Sequence, residues 1–242
     1  MRYAIFSDVH SNLEAFEAVL GCLAVADIGR YFFVGDIVGY GADPSACIRL
    51  LRSLEAVMVC GNHDWAVSGD LATDDFNEAA AAAVAWTQGR LSPSEKMFLH
   101  SLPLVKEEGD FCLVHGTLDH PEVFDYMTDR HRAAKTFYAL KKDICFVGHL
   151  HQPGIFAETS DGVVGVVGSG KRKLEERRRY IVNVGSVGQP RDADPRACFC
   201  IFDDTDRVLE FRRLDYDVKG AAGKIVAAGL PQALASRLYA GR

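Results

Sequence analysis

The stretch Tyr3-Ala4-Ile5-Phe6-Ser7-Asp8-Val9-His10-Ser11-Asn12-Leu13-Glu14 decides how the chain is read. Tyr3 to Ser7 is a short apolar run and predicts a strand. Ser11 to Glu14 has capping-box spacing and opens an amphipathic helix to about Val25. Between the two lie a carboxylate and an imidazole, Asp8 and His10. Because these polar groups precede any long apolar run, the segment is expected to be a first core strand and not a signal peptide.

The same unit repeats. Residues 31–34 predict a second strand, and Asp43-Pro44 supplies an N-cap and an N1 proline for a helix through Leu54. Residues 56–59 predict a third strand. Such a βαβαβ start implies parallel strands buried on both faces. Helices are expected over 75–90 and from Ser92-Pro93-Ser94-Glu95 to Leu102. Strands at 104–107 and 111–115 flank a turn at Glu108-Gly109-Asp110, followed by a helix over 129–142 and a strand over 144–147. After Pro153 the pattern turns to strands and hairpins, at 155–157, 163–167, 180–184, 198–202 and 208–214. Two short helices broken at Pro231 close the chain. Parallel units followed by antiparallel strands predict a mixed α/β fold of two facing sheets with helices outside. With no linker and no repeat, residues 1–242 are expected to form one domain.

Composition agrees with a folded, core-burying chain: 48% of residues are hydrophobic and 25% charged. Lys and Arg number 27 against 33 Asp and Glu, a formal net charge of -6. That balance argues against a constitutive nucleic-acid coat and against a polybasic membrane anchor. The Ala-rich segment 79–86 is too short to cross a bilayer. The seven cysteines (Cys22, Cys47, Cys60, Cys112, Cys145, Cys198, Cys200) form no CxxC pair. They read as reduced core residues of a cytoplasmic protein, not as a zinc site. Phe32, Phe33, Phe98, Phe137, Phe146 and Phe199 are expected in the core.

The chemistry-bearing residues fall in loops that follow strands, where open α/β sheets place their sites. They are Asp8-Val9-His10, Gly35-Asp36, Gly61-Asn62-His63-Asp64, His115-Gly116 and Gly148-His149-Leu150-His151. Five of the eight histidines lie there, and His100, His120 and His131 do not. Each motif alone is weak evidence. Gly-Asp after a strand is usually an Asx turn, and only HxH on a strand end suggests two imidazoles on one side. Their joint occurrence at successive strand ends indicates a site. Asp8, His10, Asp36, Asn62, His115, His149 and His151 make seven donors, too many for one ion with an open position. They suit two ions sharing a carboxylate. Oxygen and imidazole donors without thiolate favour Mn, Fe, Co, Ni or Zn, with manganese the leading expectation.

The order DxH, GD, GNHD, H, GHxH resembles the calcineurin-like metallophosphoesterase superfamily. The stretch Asn183-Val184-Gly185-Ser186-Val187-Gly188-Gln189-Pro190-Arg191-Asp192 is similar to a loop of its small bacterial predicted phosphodiesterases. The resemblance implies a four-layer αββα sandwich with a dimetal centre at the sheet ends. It implies that Asp8, His10, Asp36 and His151 hold one ion, and that Asp36, Asn62, His115 and His149 hold the other. It further implies that His63 contacts the phosphate or protonates the leaving oxygen while Asp64 orients its ring.

Two departures from the family pattern matter. Where related protein phosphatases and symmetrical dinucleoside tetraphosphatases carry GDxVDRG, this chain has Gly35-Asp36-Ile37-Val38-Gly39-Tyr40-Gly41. Tyr40 therefore stands in place of a phosphate-gripping arginine, which disfavours protein phosphatase activity. Arg191 is expected to replace that cation, with Tyr40 and Gln189 as further substrate contacts. Val184 also replaces a proline, which bears on the rigidity of its loop.

The reading is a hydrolase of a phosphodiester or phosphoanhydride bond in a small, nucleotide-like substrate, in which water activated between the ions attacks in line. A nuclease or phosphomonoesterase on the same centre is the alternative. A non-catalytic scaffold of this fold would tolerate loss of a ligand, and none is lost. The basic cluster Lys171-Arg172-Lys173 and Arg177-Arg178-Arg179 encloses two glutamates and reads as a solvated turn.

Overall fold

β1 (Arg2–Phe6) pairs in parallel with β2 (Arg30–Phe33), and β2 with β3 (Val57–Met58), as the opening units predict. The structure, a computed structural model, describes residues 1–242. α1 (Leu13–Ala24) joins the first two strands and α2 (Pro44–Ser53) the next two. The helical middle comprises α3 (Asn62–Ser68), α4 (Glu78–Gln88) and α5 (Pro93–His100). β4 (Val105–Glu108), β5 (Phe111–Val114), a 3-10 turn at Pro121–Val123, α6 (Arg130–Ala139) and β6 (Ile144–Val147) follow. The remaining strands are β7 (Gly154–Thr159), β8 (Gly162–Val167), β9 (Lys171–Lys173), β10 (Tyr180–Asn183), β11 (Ala197–Asp203) and β12 (Val208–Leu214). Helices α7 (Val218–Ala227) and α8 (Gln232–Ala240) end the chain, with Pro231 as the N-cap of α8.

The strands make two six-stranded mixed sheets, ordered β3-β2-β1-β11-β12-β9 and β4-β5-β6-β10-β7-β8. Between them lies an apolar layer that includes Ile5, Phe32 and Phe202 from the first sheet and Leu113, Phe146 and Val182 from the second. The alternate residues of the same strands face outward. Phe6, Phe33 and Phe199 pack under residues of α1 and α2 such as Phe16, Val19 and Ile48. Cys112, Cys145 and Ile181 pack under Ala133 and Phe137 of α6. Burying both faces of each central strand accounts for its unbroken hydrophobic run. The expected αββα layering is the observed one.

Several boundaries differ from the sequence reading, each for a local reason. α1 is capped by Asn12, whose side chain accepts the Ala15 amide at 3.1 Å, because Ser11 is held at φ 55° and cannot lead into the helix. Asn62-His63-Asp64, expected in a loop, forms the first turn of α3. α4 begins at Glu78 behind an Asn77 cap, leaving Asp75 and Phe76 in the preceding loop. Lys171–Lys173, expected in a turn, is an edge strand paired with β12. Of the six core phenylalanines, only Phe98 is partly exposed, and there the Arg52 guanidinium covers its ring, 5.2 Å from the centroid. Six of the seven cysteines are buried and all are free. No helix is long and apolar enough to cross a membrane.

Candidate metal centre and substrate cleft

Every expected donor lies just beyond the C-terminal end of a parallel strand. Asp8 and His10 follow β1, Asp36 follows β2, and Asn62 opens the helix after β3. From the second sheet, His115 follows β5, and His149 and His151 follow β6. Parallel strands end on the same side, so the two sheets deliver their loops to one place. The His149 amide donates to Asp8 Oδ2 at 3.1 Å and ties the two loop sets together.

The clustering is tight. His151 Nε2 lies 3.1 Å and His10 Nε2 3.7 Å from Asp8 Oδ1. His115 Nε2 lies 3.2 Å and His10 Nε2 3.6 Å from Asp36 Oδ2. Asp8, His10 and His151 form one group able to hold a metal ion, and Asp36, His115 and His149 form a second. His63 also falls within ligating reach of His10 and Asp36.

The fit of this donor set to cations can be judged from the atoms left without partners. Asp8 Oδ1, Asp36 Oδ2, Asn62 Oδ1 and His115 Nε2 are buried and make no hydrogen bond. Unpaired buried carboxylate oxygens are costly, and cations at their focus would remove that cost. Three imidazoles are also fixed from behind. The Nδ1 of His10 is 3.0 Å from the Val38 carbonyl, that of His115 is 2.7 Å from Val34, and that of His151 is 2.6 Å from Gln189. In the neutral ring each carbonyl accepts a hydrogen bond from Nδ1–H and leaves Nε2 with a free lone pair, the usual support for a ligating histidine. The residues fit a pair of divalent ions.

Electrostatics follow from the crowding. Burial would raise the Asp8 carboxyl, but the rings of His151 and His10 outweigh it and hold Asp8 well below the usual carboxylate range. Asp36 is held down in the same way, chiefly by His115 and His63. Burial would lower His115, but Asp36 and Asp8 lift it to about 9. Burial pushes His149 well down, and burial with the Arg191 charge lowers His151 to about 4.

The loop from Asn183 to Arg191 braces these strand ends. Ser186 Oγ donates to the Asp8 carbonyl at 2.9 Å, and the Gly188 amide donates to the same carbonyl at 2.8 Å. A Cβ on Gly188 would overlap the Val9 carbonyl oxygen, so only glycine permits this approach. Val184 replaces the family's proline without loosening the loop, because its amide donates to Val147 at 3.0 Å, a bond proline could not make.

Asp64 does not orient the His63 ring, contrary to expectation. Its carboxylate instead accepts the amides of Asp36 (2.7 Å), Ile37 (2.9 Å), Val38 (3.2 Å) and Gly61 (3.0 Å). As the third residue of α3 it is aimed back at the loop after β2, and its oxygens are fully used there. Burial and the nearby Asp36 charge raise it to about 7. The His63 ring is packed by Tyr40 (4.4 Å between centroids) and Phe76 (5.1 Å), and burial lowers it to about 3 against the pull of Asp36.

Beside the donors opens a cleft of about 310 Å³, bordered by Asp36, Asn62, His63, Tyr40, Arg191 and His149 among others. Arg191 Nη2 donates to the Tyr40 hydroxyl at 3.3 Å and to Gln189 Oε1 at 2.9 Å. Gln189, expected at the substrate, does not line the cleft. It is 2% exposed and acts from behind, through its carbonyl on His151 and its side chain on Arg191. Tyr40 does border the cleft, but its ring is packed against His10, His63 and the Arg191 guanidinium, so it has no free face for a base. Sequence reasoning missed Phe76 and Tyr126, which also line the cleft. Neither belongs to a metal-ligand motif, and an isolated aromatic in a polar loop gives no signal. The basic residues from Lys171 to Arg179 lie away from the cleft. Arg179 is paired with Glu158 at 2.7 Å and Arg178 with Glu175 at 2.6 Å.

The sequence model of the calcineurin-like phosphoesterase superfamily domain matches residues 1–207. The crystal structure of a metallophosphoesterase from Sphaerobacter thermophilus superposes with a TM-score of 0.89 at 40% identity, over 100% of this chain and 99% of that one. An uncharacterised protein of Methanocaldococcus jannaschii is 41% identical over 243 residues, which span 99% of this chain and 98% of its own length. A hypothetical protein of Pyrococcus horikoshii OT3 shares the fold, with a TM-score of 0.82 at 19% identity over 100% of this chain and 98% of that one. The motif order, the paired sheets and the pattern match through residue 207 agree, and the chain belongs to the calcineurin-like phosphoesterase superfamily.

Proposed function

We propose that the chain is a dimetal phosphohydrolase that cleaves a phosphodiester or phosphoanhydride bond in a small, nucleotide-like substrate. The observation that carries this reading is the focus of unpartnered, buried carboxylate, carboxamide and imidazole atoms on one side of the cleft. Asp8, His10, Asp36 and His151 would hold one ion, and Asp36, Asn62, His115 and His149 the other, with Asp36 shared. The all-oxygen-and-nitrogen set accommodates manganese, iron, cobalt, nickel or zinc, with manganese taken as the leading candidate. Such ions, when bound, supply Lewis acidity toward a phosphoryl group and make water more acidic.

The protein's own groups account for recognition and departure. Arg191, oriented by Tyr40 and Gln189, presents a fixed positive charge to a substrate phosphate. His63, lowered to about 3, is neutral near pH 7. It therefore acts as a hydrogen-bond donor to the leaving oxygen and not as a stored proton. The cleft volume of about 310 Å³ is at the small end of ligand pockets, which suits a nucleotide-sized group. Asp75 and Asp125 also border the cleft, and their charge opposes the track of phosphates that a nucleic-acid strand would lay there.

The test is a substrate panel on Mn(II)-loaded wild type and His63→Ala: bis-p-nitrophenyl phosphate, dinucleoside polyphosphates, cyclic nucleotides and p-nitrophenyl phosphate. Diesters or anhydrides are expected to be preferred. His63→Ala is expected to keep its ions and lose about 100-fold or more in kcat. A preference for the monoester, or an unchanged kcat in the metal-replete variant, would contradict the reading.

A further inference from the structure

Three of the four imidazoles read as ligands are held by a backbone carbonyl at Nδ1, namely His10, His115 and His151. His149 is the exception. No hydrogen bond reaches its ring, although a ligating histidine needs its orientation fixed as much as the others do. What touches the ring is aromatic. Tyr126 stacks on it with centroids 4.0 Å apart and planes 14° from parallel, and His115 lies tilted at 4.9 Å on another side.

Tyr126 is itself well placed to act as a support. It lies in the segment between β5 and α6, flanked by two buried side chains that anchor in different layers. Phe124 is 5% exposed and packs into the core under the first sheet, with its ring 5.6 Å from Trp65. Met127 is 2% exposed and packs into the layer under α6. The Tyr126 carbonyl accepts the Thr128 amide at 3.0 Å. Pinned on both sides, the backbone keeps Tyr126 beside His149, while the residue remains 44% exposed and borders the cleft. A tyrosine laid flat on an imidazole opposes rotation of that ring out of the stacked plane.

We propose that Tyr126 is a positioning residue for His149, its stacked ring doing the orienting work that backbone carbonyls do for the other three histidines. The proposal rests on the reading of His149 as a metal ligand. It predicts that the ion held by Asp36, Asn62, His115 and His149 depends on an aromatic face at position 126 and not on the tyrosine hydroxyl.

Metal-free full-length protein is titrated with Mn(II), reading stoichiometry and affinity by calorimetry and the coupled two-ion signal by electron paramagnetic resonance. Wild type and Tyr126→Phe are expected to bind both ions alike. Tyr126→Ala is expected to bind one ion normally and the other about 10- to 100-fold more weakly, as for loss of a ligand's support. Thermal unfolding of the metal-free variants checks the fold, and an exposed side chain should be removable without loss of it. His149→Ala separates the two levels of the argument. If Tyr126→Ala titrates as wild type while His149→Ala loses an ion, positioning by Tyr126 is wrong and the ligand assignment stands. A Tyr126→Phe variant as weak as Tyr126→Ala would overturn the stacking account. Should His149→Ala keep both ions at full affinity, the ligand reading itself fails.

Discussion

Asp8, His10, Asp36, Tyr40, His149 and His151 all have φ between 50° and 64°. Non-glycine residues in this left-handed region carry roughly 1–3 kcal/mol of strain each, and such residues gather where function demands an unusual backbone. At the strand ends this backbone conformation accompanies the convergence of the Asp8, His10, Asp36, His149 and His151 side chains. None of this was legible in the sequence. The donors could be named because DxH, GNHD and GHxH recur at strand ends. Their backbone conformation, the carbonyl behind each ring and the true role of Asp64 depend on contacts between loops far apart in the chain.

One consequence at this scale is a pH dependence. His115 is raised to about 9 by Asp36 and Asp8, so in the metal-free protein it is protonated at pH 7. A raised folded pKa means that its contribution to metal-free stability is complete below the unfolded value of about 6.5 and is lost as pH climbs through about 9. A cation needs the neutral ring, so metal uptake must expel this proton. Mn(II) affinity is therefore expected to rise by up to about tenfold per pH unit across the neutral range, with proton release seen in calorimetry in buffers of different ionisation enthalpy. Affinity that stays flat with pH, without proton release, would contradict this assignment of charge.

Among the elements, periodicity and capping signals located nearly all the long ones, because an amphipathic stripe or a doubly buried run imprints a pattern on sequence. The misses were short or atypical. α3 has only seven residues and begins inside the GNHD motif, so its chemistry masked its conformation. β9 is a run of exposed basic residues held by pairing with β12, a tertiary effect invisible to local propensity. The loop from Asn183 to Arg191 matters at this scale because it clamps the strand ends. Gly188→Ala must push that loop off Val9 and is expected to cost about 1–3 kcal/mol while weakening metal uptake. Gly223→Ala, in the exposed part of α7 with nothing within 4 Å, is expected to add about 0.5–1 kcal/mol through helix propensity. Denaturant unfolding of both variants checks the opposite signs; equal effects would mean that the close approach at Gly188 is not a constraint.

In the molecule as a whole, the inter-sheet layer draws on residues from Ile5 to Phe211, so the ends of both sheets are fixed relative to each other by the core. The opening βαβαβ pattern and the later hairpins made a mixed two-sheet architecture readable, but each sheet holds both kinds of strand. Parallel β1, β2 and β3 share one with the β11-β12 hairpin, and parallel β5, β6 and β10 share the other with the β7-β8 hairpin. The order of strands within each sheet was not readable, because it depends on which distant runs find each other. That order brings β1 beside β11 and β6 beside β10, and so carries donors from both sheets to a single rim. The central claim is that this rim holds two divalent ions. Anomalous diffraction from crystals of Mn(II)-reconstituted protein measures it directly. The account predicts two peaks per chain, one among Asp8, His10, Asp36 and His151 and one among Asp36, Asn62, His115 and His149. Reconstituted crystals with no peak at these residues, or with only one, would contradict it.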